Sequence, residues 1–159
     1  MSTATGTALE NTTTLAKVGK PAPDFNMPST KNMQTLAENV KLSDYKGKWL
    51  VLLFYPLDFT FVCPTELTAF SDRLDELNGV GAEVLGISTD SVHSHRAWIN
   101  TPRNKNGIEG LKYPLASDVG GKLARSYNIL VEEANIALRG LYIINPDGVL
   151  QYAVVHDLN

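Results

Sequence analysis

Lys48-Trp49-Leu50-Val51-Leu52-Leu53-Phe54-Tyr55 is a nearly unbroken apolar run closed by Pro56, and it restricts the fold more than any other stretch. A run without alternation must be covered on both faces, as a strand is in the middle of a sheet flanked by helices. Pro56 ends it, since proline has no N–H to donate to a ladder. Downstream, Leu67, Phe70, Leu74 and Leu77 recur at steps of three, four and three, with Ser71, Asp72, Asp75 and Glu76 between them. That spacing predicts one amphipathic helix with its apolar stripe on the core. Gly79-Val80-Gly81 stops it, and Ala82-Glu83-Val84-Leu85-Gly86-Ile87-Ser88 reads as the next strand. Strand, helix and strand of these lengths form a crossover unit, so the central strands run parallel.

The remaining elements attach to this unit. Ser88, Asp90 or Ser91 can cap a second helix running through Trp98 and ended by Thr101-Pro102. Arg103 to Lys112 is polar, holds Gly107 and Gly110, and reads as a loop; Asp118 opens a helix across Lys122 to Tyr127. The last two strands, Leu138–Ile144 and Val149–Val155, meet through Asn145-Pro146-Asp147-Gly148, a strong turn signal, and form an antiparallel hairpin. Short alternating pieces at Asp24–Met27 and Val40–Leu42 predict a small hairpin ahead of the main sheet. The expected class is α/β, a mixed central sheet flanked by helices with an N-terminal β-hairpin extension. Residues 17–159 should be one domain. Residues 1–16, rich in Thr, Ser and Ala, cannot bury enough to offset the entropy of ordering and read as a mobile polar tail, or as the remnant of a longer leader.

Composition removes several classes of function. With 43% hydrophobic residues and a net charge of −3 there is no basic surface for nucleic acid or acidic lipid. No stretch approaches the ~20 apolar residues of a membrane span, and the amino terminus lacks a secretory pattern, so the expected location is cytoplasmic with no membrane partner. The single cysteine cannot form an internal disulfide, which suits a reducing compartment. His93, His95 and His156 do not suggest a metal: two histidines two apart on a helix do not share a face, and there is no second thiolate. No cofactor motif is present either.

That cysteine, Cys63, falls where the central strand gives way to the helix. Pro64 suits the first helical position and Glu66 the first turn, so the sulfur sits at or near a helix start. Unpaired N–H groups and the helix dipole there favour a thiolate. Lowering a thiol from ~8.5 to about 6 requires roughly 3.4 kcal/mol, whereas a helix end supplies ~0.3–1 kcal/mol. A hydroxyl donor and a full positive charge are therefore needed nearby, and Thr60 is one candidate donor. Full ionisation gains only about thirty-fold in thiolate, so faster chemistry needs transition-state stabilisation. Taken alone, a free cysteine is more often a buried packing residue, Thr60 a turn residue and Pro56 a strand stop. Five arginines are present, and composition selects none.

Pro56, Thr60 and Cys63 match Pro-x-x-x-Thr-x-x-Cys, and the block from Phe54 to Glu66 resembles the typical two-cysteine peroxiredoxins, which include bacterial alkyl hydroperoxide reductase C. Gly19–Phe25, Trp98–Arg103 and Arg139–Ile144 resemble the same subgroup, and the similarity runs from about Val18 to the carboxyl end. The resemblance implies a thioredoxin-like fold and an antioxidant, thiol-dependent peroxidase of cell redox homeostasis. Its substrates would be hydrogen peroxide and organic hydroperoxides, its product a Cys63 sulfenic acid. It implies Pro56 as a shield of the pocket, Thr60 as a contact to sulfur and peroxide, Arg139 as the cation, and Glu66 as the residue positioning that arginine. Homodimers, and rings of dimers, are the implied assemblies. A redox-sensing or chaperone-like oligomer, whose thiol signals rather than turns over, is the competing function.

In the subgroup the segment matching Asp157-Leu158 continues into a second arginine, a helix and a resolving cysteine, whereas this sequence ends at Asn159. Either the chain is shortened or it works with one cysteine. Return of the sulfenic acid then requires an external thiol, from thioredoxin or an alkyl hydroperoxide reductase F-like protein, or the missing resolving cysteine.

Overall fold

The computed structural model describes residues 15–60 and 63–158, the side chain of Cys63 excepted. Phe61, Val62 and most of the expected tail lie outside these. Ala16 already belongs to the folded part, since its N–H donates to the Ser126 carbonyl at 2.8 Å.

In chain order, β1 (Asn26–Pro28) and β2 (Asn39–Lys41) form an antiparallel pair, followed by the central strand β3 (Trp49–Phe54). Helices α1 (Cys63–Asp72) and α2 (Leu74–Gly79) lead to β4 (Ala82–Ser88), α3 (Val92–Ile99) and β5 (Leu115–Ser117). Then come α4 (Lys122–Ser126), the small antiparallel pair β6 (Leu130–Val131) and β7 (Ile136–Ala137), and the hairpin β8 (Arg139–Ile144) and β9 (Leu150–His156). The main sheet has five strands in the order β5-β4-β3-β8-β9. Strands β3, β4 and β5 run parallel, and β8 is antiparallel to β3 and β9 to β8. This is the expected mixed sheet, with its hairpin extension.

β3 is central because five of its six residues are buried, so it needs neighbours on both edges and cover on both faces. Its alternate side chains divide the core. Leu50, Leu52 and Phe54 join Leu85, Ile87, Tyr127 and Tyr142 on one face. Val51, Leu53 and, just past the strand, Tyr55 join Leu67, Leu74, Trp98 and Leu115 on the other.

Three local features depart from the sequence pattern. The single helix expected over Leu67 to Leu77 is broken at Arg73, where φ −109° and ψ 14° interrupt the ladder. Leu67 and Leu74 stay buried on either side, so the break preserves the stripe, and no Gly or Pro announces it. Of the three candidate caps for α3, Ser91 serves, its hydroxyl accepting from the Ser94 N–H at 3.2 Å. Asp118 reaches over four residues to receive the N–H groups of Leu123 and Ala124 at 3.0 and 2.9 Å. Strands β5, β6 and β7 are too short to leave a readable period. Among the described residues no helix is long and apolar enough to cross a membrane.

Candidate active site

β3 delivers the chain to one end of the sheet, and the turn from Tyr55 to Thr60 carries it to the start of α1 at Cys63. A helix can begin there because Pro64 needs no N–H partner in the first turn, and Pro64 is buried. Thr60 Oγ1 donates to the Leu57 carbonyl at 3.0 Å, while its own carbonyl accepts from Asn106 Nδ2 at 3.2 Å. While the Leu57 bond holds, the hydroxyl presents lone pairs rather than a proton to what lies beyond it. Pro56 is buried at the foot of the turn.

Phe59, between Asp58 and Thr60, has φ 61°. Left-handed backbone is costly for a bulky residue, of order 1–3 kcal/mol, and persists only where the surroundings enforce it. The ring stays half exposed, tilted 42° to Trp98 at a centroid distance of 6.0 Å.

Topology brings one arginine to Glu66. Arg139 opens β8, the neighbour of β3, and its Nη1 donates to Glu66 Oε2 at 3.0 Å. Its side chain is only 13% exposed although it opens the strand. Glu66 stands one helical turn after Cys63 on α1, so the pair holds a guanidinium beside the helix start. Arg73, Arg103 and Arg125 instead pair with Glu76, Asp72 and Glu132 on exposed surface. A cavity of about 260 Å³ opens beside the Arg139–Glu66 pair, lined on its apolar side by Leu53, Leu67, Phe70 and Leu141.

Behind the turn lies a polar cluster that the residue patterns did not bring forward. Asp58 Oδ1 accepts from the Tyr55 hydroxyl at 2.7 Å, and Oδ2 accepts from the Ser94 hydroxyl at 2.8 Å and faces His95 Nδ1 at 2.8 Å. The Asp58 N–H donates to Asp90 Oδ2 at 2.9 Å, and Ser88 Oγ donates to the same oxygen at 2.6 Å. Burial first, and then the Asp58 charge, hold the Tyr55 phenol well above its ordinary pKa of 10.0, so it remains a donor. Ligand-type atoms of Asp58, Asp90 and His95 lie within 4.8 Å of one another. Each is already engaged in the hydrogen bonds just given, so the group is a closed knot rather than an open coordination site. One signal for it was available: His95 shares a helix face with Trp98, three residues on, and both are fully buried.

Of the five residues singled out from sequence, the fold brings Pro56, Thr60 and the start of α1 to one end of β3, and Glu66 and Arg139 into contact. The Cys63 side chain lies outside the description.

The model of the AhpC/TSA family matches residues 18–153. The chain is 53% identical over 143 residues to peroxiredoxin-2 of Bos taurus, covering 90% of this chain and 71% of that protein. It is 50% identical over 145 residues to the chloroplastic 2-Cys peroxiredoxin BAS1 of Hordeum vulgare, covering 91% and 68%. Among solved structures, the reduced 2-Cys peroxiredoxin of Plasmodium vivax superposes with a TM-score of 0.83 at 38% identity, covering 89% of this chain and 72% of that one.

Proposed function

Because this chain belongs to the AhpC/TSA family and is a thiol-dependent peroxidase of thioredoxin-like fold, we propose that Cys63 is the sulfur that reacts. As a thiolate it attacks one oxygen of the peroxide: an S–O bond forms, the O–O bond breaks, and sulfur gives up two electrons. The products are the Cys63 sulfenic acid and an alkoxide or hydroxide, which takes a proton from water. Charge on the departing oxygen is where a cation helps most, and Arg139, held at 3.0 Å by Glu66, is the group placed to supply it. Thr60 accepts from the peroxide hydroxyl, and buried Pro56 limits water at the turn.

The observation that supports this reading is the Arg139–Glu66 contact, since Glu66 follows the only cysteine of the sequence by three residues on α1. An external thiol closes the cycle by displacing water from the sulfenic acid to give a mixed disulfide, and a second thiol then releases Cys63. Thioredoxin or an alkyl hydroperoxide reductase F-like protein fits that role, in a reducing compartment such as the cytoplasm. Homodimer formation, or rings of dimers, belongs to the same proposal. Supporting it, β9 is an edge strand of the sheet that leaves Tyr152 and Val155 exposed.

The test is peroxide consumption with excess dithiothreitol. Wild type should turn over many times and Cys63→Ser not at all. Retention of activity in the variant removes Cys63 from the mechanism, and a single stoichiometric oxidation of wild type would favour the signalling alternative.

A further inference from the structure

We propose that Asp58 and His95, which no step of the peroxidase reaction uses, are positioning residues that hold the Tyr55–Thr60 turn in its reactive shape. The inference rests on the peroxidase reading of Cys63 and goes beyond it, since it assigns a role to a cluster that touches neither sulfur nor substrate.

The hydrogen bonds dictate where the protons lie. His95 Nε2 faces the Ala116 carbonyl at 3.0 Å, and a carbonyl can only accept, so Nε2 carries a proton. Nδ1 faces Asp58 Oδ2 at 2.8 Å. The same carboxyl group already receives hydroxyl protons from Tyr55 and Ser94, as a carboxylate does. Asp58 and His95 thus share a hydrogen bond between side chains 1% and 0% exposed, out of reach of competing water. The cluster's members come from the turn (Tyr55, Asp58) and from α3 (Ser94, His95), and the ring is anchored on β5 through Ala116. The Asp58 backbone is tied in addition to Asp90, after β4, at 2.9 Å. Asp58 is thus fastened directly to α3 and to the segment after β4, and through the His95 ring to β5.

The consequence falls on its neighbour. Phe59 must hold φ 61°, a conformation that the residue itself resists, and it is followed directly by Thr60. Asp58 supplies the enforcement on the amino-terminal side, and Asn106, bonded to the Thr60 carbonyl, on the other. If Asp58 lets go, Phe59 relaxes to negative φ and the Thr60 hydroxyl swings away from the start of α1. A displacement of about 1 Å at a reacting centre can slow a reaction on the order of a hundredfold.

The experiment compares two reactions of the same sulfur. Hydrogen peroxide oxidation needs the shaped turn, whereas alkylation by iodoacetamide needs mainly a thiolate, and with one cysteine both readouts report Cys63 alone. In D58N, oxidation should fall on the order of a hundredfold while alkylation stays within a few-fold of wild type. Unchanged oxidation, or equal losses in both reactions, overturns the proposal. Should D58N not fold, Tyr55→Phe decides: it removes one donor to the carboxylate, keeps the ring, and should slow oxidation about tenfold with alkylation unchanged. Equal rates there overturn the proposal as well. Wild-type protein that consumes no peroxide with excess thiol would instead mean that the peroxidase reading has failed, before either variant is compared.

Discussion

Replacing Arg139 by alanine separates the two ways in which a cation can assist Cys63. The guanidinium, 13% exposed and held 3.0 Å from Glu66, can favour the thiolate and can also meet charge developing on the departing oxygen. The first effect is bounded: even complete ionisation is worth only about thirty-fold over an ordinary thiol at neutral pH. The second has no such bound, and removing one well-aimed donor from a developing oxyanion typically costs about a hundred- to a thousand-fold. Arg139→Ala should therefore slow Cys63 oxidation by well over thirty-fold at neutral pH. Stopped-flow oxidation followed across pH resolves the two parts. Raising the pH past the ordinary thiol value of ~8.5 restores the thiolate and recovers the first part only, leaving a residual deficit of about a hundredfold. Glu66→Gln keeps the cation but weakens its tether, and should lose less than Arg139→Ala at every pH. Chemical denaturation of each variant separates any loss of stability from the loss of rate, since Arg139 is only 13% exposed. A loss below thirty-fold at neutral pH, or rates that converge with wild type in alkali, would refute the assignment of Arg139 to the transition state.

Other perturbations test the scaffold. Burial raises the Asp118 carboxyl above its ordinary 3.8, against the opposing pull of the Leu123 and Ala124 N–H groups. The native state then binds the Asp118 proton more tightly than the unfolded chain does. Its contribution is fully present below pH 3.8 and is lost as pH rises through the higher folded value. Urea titrations of wild type and Asp118→Asn should show the difference moving in favour of the variant as pH climbs just above that point; movement the other way would reverse the assignment. A Cβ on Gly107 would overlap the Thr101 carbonyl, which is backbone and cannot step aside. Gly107→Ala should cost at least about 2 kcal/mol by chemical denaturation. Leu52, fully buried in the middle of β3, should cost about 2–5 kcal/mol as Leu52→Ala, with peroxide reactivity retained under conditions where the variant remains folded.

Much of this protein was legible in one dimension because the signals are local. The apolar run of β3, the stripe of Leu67, Phe70 and Leu74, the turn Asn145–Gly148 and the proline beside Cys63 each express a period or a backbone restriction carried by neighbouring residues. From them follow the crossover unit, the closing hairpin and the placement of the cysteine at a helix start. The resemblance to peroxiredoxins pointed to Arg139, which residue types alone could not do. What had no local signature was the break at Arg73, the short strands β5 to β7, and the convergence of Tyr55, Asp58, Asp90 and His95, which lie up to 40 residues apart. Pairing β8 with β3 sets Arg139 against Glu66, 73 residues earlier, and packing α3 beneath the turn sets His95 against Asp58. Contacts of that kind depend on which strands are neighbours and which helix covers them. Residue order supplies the sulfur and its helix, and only the assembled sheet decides which charges surround them.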